Sequence, residues 1–277
     1  MAENIYVKYD VKVFDKFIEK FARKYVEQRT PVSPRALEDA LQSASSMETG
    51  FDISQLQKII RRNTVYVDPA REGEASYSIL RDIYRSDLGE LLTTYYFEEK
   101  LDEGDRYIIP AKVISTRERG DMPGRGIDAI GYRVKPDGTY ELLLAEAKVS
   151  GQQSNPPDVV DRNSDSIYES QKKYHDNPDE LQQRLCEYLK YLGAKDLAII
   201  GFIICQIASN KPVEIMYGCG LVRDYTCVDA TRDFGKMQSH ASEFDPGRIH
   251  FSIFSFTEST IDETVEQFYR KVMELTQ

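Results

Sequence analysis

The sequence predicts an α/β protein with a mostly helical N-terminal region followed by a mixed α/β core. Two patterns lead to this prediction. Apolar residues recur at spacings of three and four from Val13 to Tyr25 and again from Tyr77 to Lys100, which indicates helices. Short segments with strand character then follow, beginning with Tyr107 to Ser115, and helical segments separate the later ones.

The N-terminal region contains one predicted strand and three predicted helices. They cover Ile5 to Lys8, Val13 to Tyr25, Pro34 to about Ser46 and Ile53 to Ile60. Ser33 is suited to be the N-cap of the second helix. The polar segment Pro69 to Ser76 predicts a loop, and we place the boundary there, with the helical region at 1–72 and the core at 73–277.

The core begins with the predicted helix Tyr77 to Lys100. Its predicted strands are Tyr107 to Ser115, Ile127 to Val134, Tyr140 to Val149, Val213 to Val222 and Arg248 to Phe256. Its other predicted helices are Val160 to His175, Pro178 to Leu192 and Ile261 to Leu275, the last with Thr260 as N-cap. The segment Leu197 to Ile207 fits a buried strand and a buried helix equally well.

Composition and charge restrict the function classes. No apolar run is long enough to cross a bilayer, and the N-terminus lacks the pattern of a signal peptide, so we expect a cytoplasmic protein without a membrane span. The spacing of the cysteines and histidines does not match zinc ligands, and we expect the cysteines to be reduced core residues.

The net charge of −10 is unfavourable for a protein that approaches polyphosphate, because lysines and arginines supply most non-specific affinity for nucleic acid. This acidity suggests that a partner protein delivers any such substrate. Several basic residues are interpreted as solvated surface. They are Arg61, Arg62, Arg117, Arg119, Arg125, Lys172 and Lys173.

The segment Tyr140 to Val149 carries an acid and a lysine on one face of an apolar strand. Side chains alternate along a strand, so Glu146 and Lys148 share a face with Leu142 and Leu144. Burying these two charges is costly unless they are paired or hold a metal. The segment is therefore a candidate site.

The turn before this strand predicts a partner for Glu146. If Pro136 to Gly138 form a three-residue hairpin loop with Gly138 in the left-handed conformation, Lys135 pairs with Thr139. The same register places Asp128 directly opposite Glu146, with their Cβ atoms roughly 5 Å apart. Two carboxylates this close repel each other, and a divalent cation offsets that repulsion.

Oxygen ligands of this kind favour Mg²⁺, or Mn²⁺ in its place. A bound cation polarises a scissile phosphate and acidifies a coordinated water, while Lys148 orients that water or stabilises the developing charge. The residue set Asp128, Glu146 and Lys148 thus indicates phosphodiester hydrolysis. The alternative from the residues alone is a structural ion pair on a half-exposed strand.

A further acid would complete a metal site, and Glu90 in D-L-G-E-L-L is the candidate, with Asp87 as its competitor. Gly89 permits the helix to approach the sheet closely. The alternative for Glu90 is a solvated helix acid. Gln171 and Tyr174 on the following helix are interpreted as surface residues.

Three sequence motifs resemble those of a known family. The strings G-R-G-I-D-A-I-G-Y at Gly124 to Tyr132 and L-L-L-A-E-A-K at Leu142 to Lys148 resemble the D...E-x-K signature of PD-(D/E)XK nucleases. Together with D-L-G-E-L-L at Asp87 to Leu92, the chain resembles the HamA, or anti-bacteriophage protein A, family of bacterial phage defence. Ile127 stands where the strict signature has proline.

The resemblance implies a restriction-endonuclease-like fold, in which helices flank a mixed sheet. It implies Asp128 and Glu146 as metal ligands, Lys148 as the catalytic lysine and Glu90 as the helix acid. It also implies DNA as the substrate and a superfamily 2 helicase, HamB in the Hachiman system, as the partner. Two other hypotheses are a non-catalytic adaptor that docks and regulates a helicase, and an RNA-directed toxin nuclease.

Overall fold

A mixed sheet of six strands forms the centre of the protein. The computed structural model describes residues 3–13, 15–32, 34–43, 53–65, 77–117, 124 and 126–276. The strands are β1 (Ile5–Lys12), β2 (Ile108–Lys112), β3 (Ala129–Val134), β4 (Tyr140–Ser150), β5 (Glu214–Arg223) and β6 (Arg248–Thr257). They are arranged in the order β1-β6-β5-β4-β3-β2. Strands β1, β6, β5 and β4 run parallel to one another, whereas β3 and β2 join as antiparallel strands.

Helices cover both faces of this sheet. They are α1 (Asp15–Arg29), α2 (Pro34–Ser43), α3 (Ile53–Thr64), α4 (Tyr77–Tyr95), α5 (Val113–Thr116), α6 (Asp158–Asp161), α7 (Ile167–Asp176), α8 (Pro178–Tyr188), α9 (Ala194–Ala208), α10 (Gly235–Ser239) and α11 (Ile261–Thr276). A short π-helical segment, Tyr96–Lys100, continues α4. The predicted α/β class is confirmed, and so are a mixed sheet and flanking helices.

The central strand β4 has a separate hydrophobic core on each face. Leu143 and Ala145 belong to the core formed with α1, α4 and α11. Leu142 and Leu144 belong to the core formed with α7, α8 and α9. A strand buried on both faces is apolar at nearly every position, which explains the run of Leu and Ala in this sequence.

The chain from α4 onward agrees with most of the predicted elements. The hairpin, β5, β6 and α11 are confirmed, and Thr260 does cap α11: its hydroxyl accepts from Glu263 N–H, while the Glu263 carboxylate accepts from Thr260. The undecided segment Leu197 to Ile207 lies within α9.

Two predicted elements were wrong in their extent. The predicted strand Tyr107 to Ser115 ends at Lys112, because the next residues turn into α5 and Val113 N–H donates to the Asp128 carbonyl at 2.8 Å. The predicted helix Val160 to His175 is divided into α6 and α7. The polar residues between them form a loop that contributes to the site described below.

The N-terminal stretch joins the same sheet. β1 pairs with β6 along its whole length, and α1 packs against α11. The division at residue 72 stays a prediction, since residues 66–76 lie outside the described part of the chain, as does the predicted N-cap Ser33. None of the described helices combines the length and hydropathy that a bilayer-spanning segment requires.

Candidate active site

The hairpin between β3 and β4 has the register that the sequence predicts. Gly138 is in the left-handed region with φ +82°, and Lys135 N–H donates to the Thr139 carbonyl at 2.8 Å. The ladder runs from Val134 with Tyr140 back to Ala129 with Ala145. One residue beyond its end, Asp128 is therefore level with Glu146.

Asp128 lies immediately before β3 and is attached to β4. Its Oδ2 accepts a hydrogen bond from Ala147 N–H at 2.7 Å. Its carboxylate is thus held against the backbone between Glu146 and Lys148. Burial raises the pKa of Asp128, the charge of Glu146 raises it further, and Lys148 opposes the increase.

Glu146 and Lys148 project from the last part of β4 and form an ion pair. Lys148 Nζ lies 3.1 Å from Glu146 Oε1, and their side chains are 20% and 7% exposed. Burial raises the pKa of Glu146, although Lys148 and a hydrogen bond from Ser170 lower it. Burial opposes the charge of Lys148, but Glu146 and Asp128 raise its pKa, so the amine is protonated at neutral pH.

Glu90 lies on α4 and is buried, so it is not the solvated helix acid of the alternative interpretation. Ser86 Oγ donates to Glu90 Oε1 at 3.2 Å, and among the described residues Glu90 Oε2 is buried without a hydrogen-bond partner. Burial raises the pKa of Glu90, and the charges of Asp128 and Asp87 raise it further. Glu90 is thus within electrostatic reach of Asp128.

The position of α4 over the sheet depends on a glycine. A Cβ atom at Gly89 would lie 2.7 Å from Cγ2 of Val149, on the face of β4 opposite to Glu146 and Lys148. Glu90 therefore approaches Asp128 from the α4 side of the sheet, whereas Glu146 approaches from the α7 side. Asp128, immediately before β3, is coupled electrostatically to both acids.

Asp87, the competitor of Glu90, has a different environment. Both of its carboxylate oxygens accept from Arg117, at 2.7 and 2.8 Å, and Oδ2 also accepts from Tyr269 Oη at 2.5 Å. All three residues are buried. The interpretation of Arg117 as solvated surface was therefore wrong, because the arginine neutralises a buried acid. Arg119 and Arg125 lie outside the described residues.

The chemistry of the carboxylates fits a divalent cation. Glu90, Asp128 and Glu146 each have a raised pKa, and Glu90 carries an oxygen that no described residue satisfies. A cation would offset the cost of these buried charges. Within the described ranges, however, no three side chains of the types His, Cys, Asp and Glu lie together closely enough to hold a metal. The ligand roles of the three acids stay a prediction.

Two further residues contact the site, and the sequence reasoning did not find them. Asp165, in the loop between α6 and α7, accepts from Lys148 Nζ at 2.7 Å. Ser170, in the first part of α7, makes the hydrogen bond to Glu146. The Asn, Asp and Ser residues of this segment signal a loop. No sequence pattern indicates its contact with β4.

The prediction that Gln171 and Tyr174 are surface residues was wrong. Both are buried, and Gln171 Nε2 donates to the carbonyls of Leu144 at 3.0 Å and Gly218 at 3.2 Å. Gln171 therefore fastens α7 to the sheet two residues before Glu146. The cysteines are reduced, but Cys186 and Cys205 are exposed, so only the other two are core residues.

The HamA family model matches residues 9–272. Neither the curated proteins nor the solved structures include a match to this chain.

Proposed function

Because the chain belongs to the HamA family of anti-phage defence proteins, we propose that it is a metal-dependent DNA nuclease subunit acting with a helicase partner in the cytoplasm. The observation that carries the proposal is the hairpin register. It places Asp128 level with Glu146, beside Lys148, where β4 continues beyond the apolar run Leu142 to Ala145. Buried acids with raised pKa values beside a charged partner mark a candidate functional site.

Each residue has a distinct task in this proposal. Asp128, Glu146 and Glu90 would hold Mg²⁺ or Mn²⁺, which when bound polarises the scissile phosphate and acidifies a water molecule. Lys148 is protonated, so it donates hydrogen bonds to the phosphate or to the attacking water and does not act as a base. The bond from Ala147 N–H fixes the direction of the Asp128 carboxylate before substrate arrives.

The charge of the chain supports a role for a partner protein. With a net charge of −10, the protein repels free DNA, and substrate binding by this chain alone should be weak and sensitive to salt. A helicase that holds the DNA would bring the phosphate to Lys148. We therefore expect cleavage to depend on the partner.

The test is a cleavage assay with linear and circular DNA, with and without the helicase and with Mg²⁺ or Mn²⁺. Glu146→Ala and Lys148→Ala should each reduce cleavage by about a hundredfold or more. The chain offers a matched control, since Glu98 and Lys100 form a second Glu-x-Lys triplet at the end of the α4 segment. Lys100→Ala should cleave like the wild type. Unchanged cleavage by both site variants refutes the proposal, and cleavage of RNA in preference to DNA refutes its choice of substrate.

The absence of a compact three-ligand group among the described residues favours a second function. In that case the chain is a non-catalytic adaptor that docks and regulates a helicase. No cleavage should then occur with either metal or with the partner present. Addition of the wild-type chain should change the activity of the helicase. Addition of the Glu146→Ala variant should change that activity to the same extent as the wild type does.

A further inference from the structure

Asp165 has a backbone conformation that is costly for most side chains. Its φ is +50°, in the left-handed region, where aspartate and asparagine are the least disfavoured residues other than glycine. A strained residue of this kind persists only when its surroundings hold it in place, and such residues cluster at functional sites.

Two cations hold the Asp165 carboxylate. Oδ1 accepts from Lys148 Nζ at 2.7 Å, which is shorter than the 3.1 Å between Lys148 and Glu146. Oδ2 accepts from Arg162 Nη2 at 2.7 Å, and the same Nη2 also donates to the Asp165 carbonyl at 3.1 Å. Arg162 thereby fixes both the backbone and the side chain of Asp165.

The start of α7 links this loop to the second charged residue of β4. Ser166, directly after Asp165, caps α7 by accepting from Glu169 N–H at 3.2 Å, and its hydroxyl donates to the Arg162 carbonyl at 2.8 Å. Ser170, one turn later, lies beside Glu146 and lowers its pKa. One short stretch of chain therefore contacts both Glu146 and Lys148.

We propose that Asp165 is a positioning residue, which holds the ammonium of Lys148 beside Glu146 and in line with the substrate phosphate. This inference rests on the proposed nuclease function. A lysine side chain has four rotatable bonds and is costly to immobilise, so one ion pair with Glu146 leaves Nζ free to move around the carboxylate. The second contact, with the Asp165 carboxylate, restricts that freedom.

Stability alone does not explain the contact. The side chain of Asp165 is 69% exposed, and ion pairs with such an exposed partner contribute little to stability. A strained backbone that supports an exposed carboxylate makes sense when the gain is the placement of Lys148. Consistent with this, Lys148 and Arg162 hold the pKa of Asp165 below its usual value, although partial burial would raise it.

The test uses Asp165→Asn in the full chain with its partner. Asparagine keeps the shape and tolerates a positive φ, but it lacks the charge and one of the two acceptor oxygens. We expect kcat for DNA cleavage to fall on the order of tenfold, with KM within about twofold, because placement affects the chemical step more than binding. The thermal unfolding midpoint should stay close to that of the wild type.

A second readout needs neither metal nor DNA. Acylation of lysines at one fixed pH, measured for each residue by mass spectrometry, should modify Lys148 several times faster in Asp165→Asn than in the wild type. The exposed Lys190 serves as the internal reference. The matched control is Asp176→Asn, which breaks the 2.5 Å pair with Lys172 on the surface of α7 and should leave Lys148 unchanged.

The outcomes separate this inference from the function on which it rests. If Lys148→Ala abolishes cleavage while Asp165→Asn matches the wild type in kcat and in Lys148 acylation, the positioning role is refuted and the nuclease function stands. If Glu146→Ala and Lys148→Ala both cleave like the wild type, the nuclease function fails and the inference fails with it. Loss of kcat together with faster acylation of Lys148 supports both.

Discussion

Replacing Asp87 with asparagine should destabilise the protein, whereas replacing Glu90 with glutamine, one helical turn further along α4, should not. Both acids are buried on the same helix, and their sequence context does not distinguish them. The difference arises from their partners. Asp87 is neutralised by Arg117, and Glu90 has no cation in direct contact among the described residues.

The magnitude for Asp87 follows from what the substitution leaves behind. The Arg117 side chain is 2% exposed and would remain charged beside a neutral amide, and Tyr269 would lose a charged acceptor. Breaking a buried ion pair on one side costs about 3–5 kcal/mol. Because asparagine still offers one acceptor oxygen, we expect the free energy of unfolding to fall by about 3 kcal/mol. That is a large part of the roughly 5–15 kcal/mol by which proteins of this kind are stable.

Glu90 should respond in the opposite direction. Its raised pKa means that ionisation of Glu90 is less favourable in the folded protein than in the unfolded chain. This difference destabilises the folded state at neutral pH and disappears as the pH falls below the ordinary pKa of a glutamate. Glutamine does not ionise. In metal-free buffer at pH 7.5 the free energy of unfolding should therefore be equal to or higher than that of the wild type, and the two should converge in acid.

The assay is urea unfolding followed by circular dichroism, because the chain contains no tryptophan for fluorescence. Glu266→Gln, which breaks an exposed pair with Arg270 on α11, is the control and should change the free energy by less than about 0.5 kcal/mol. The reasoning is refuted if Asp87→Asn changes the free energy of unfolding as little as this control does. It is also refuted if Glu90→Gln lowers the free energy of unfolding as much as Asp87→Asn does.

Three further predictions concern the metal, the pH dependence and the packing. Mg²⁺ should raise the thermal unfolding midpoint of the wild type but not of Asp128→Asn, as measured by calorimetry. An equal rise of the midpoint in both proteins would contradict the role of Asp128 as a metal ligand. Burial would raise the pKa of Glu141, yet hydrogen bonds from Arg248 and other donors lower it. The ionised Glu141 therefore stabilises the protein above the ordinary pKa of a glutamate, and this contribution is lost as the pH falls through the pKa of Glu141 in the folded protein. The destabilisation by Glu141→Gln should accordingly be full at pH 7 and shrink below about pH 4, whereas a cost independent of pH in urea unfolding would contradict this. Gly220→Ala would place a methyl group 1.9 Å from Thr93 Oγ1, between β5 and α4. Chemical denaturation should show that the free energy of unfolding falls by about 1–3 kcal/mol. An unchanged free energy of unfolding would show that α4 packs less tightly against β5.

Local patterns were sufficient for much of the fold and for one part of the site. Hydrophobic periodicity identified α1, α4 and α11, because a helix with one buried face repeats its apolar residues every three or four positions. The turn composition at Pro136 to Gly138 determined the hairpin register and so placed Asp128 level with Glu146. Both features depend only on residues close together in the chain.

Features that depend on contacts between distant residues could not be predicted from local sequence patterns. The segment Leu197 to Ile207 was ambiguous, because a run of Ile and Leu is apolar in either periodicity and only packing against the sheet makes it a helix. Gln171 is buried although the sequence predicts a surface position. The carbonyls that bury it come from two strands that lie 27 and 47 residues away in the chain.

By itself, the sequence determined most of the helices and strands and the register that brings Asp128 level with Glu146, because side-chain periodicity and turn geometry act over a few residues. The tertiary structure decided which acids have partners. Arg117 neutralises Asp87, Glu90 is left with a buried orphan oxygen, and Asp165 reaches Lys148 from a separate loop. The cost of a buried charge depends on which groups surround it in space, and those groups come from distant segments of the chain, so the neighbouring sequence does not reveal them.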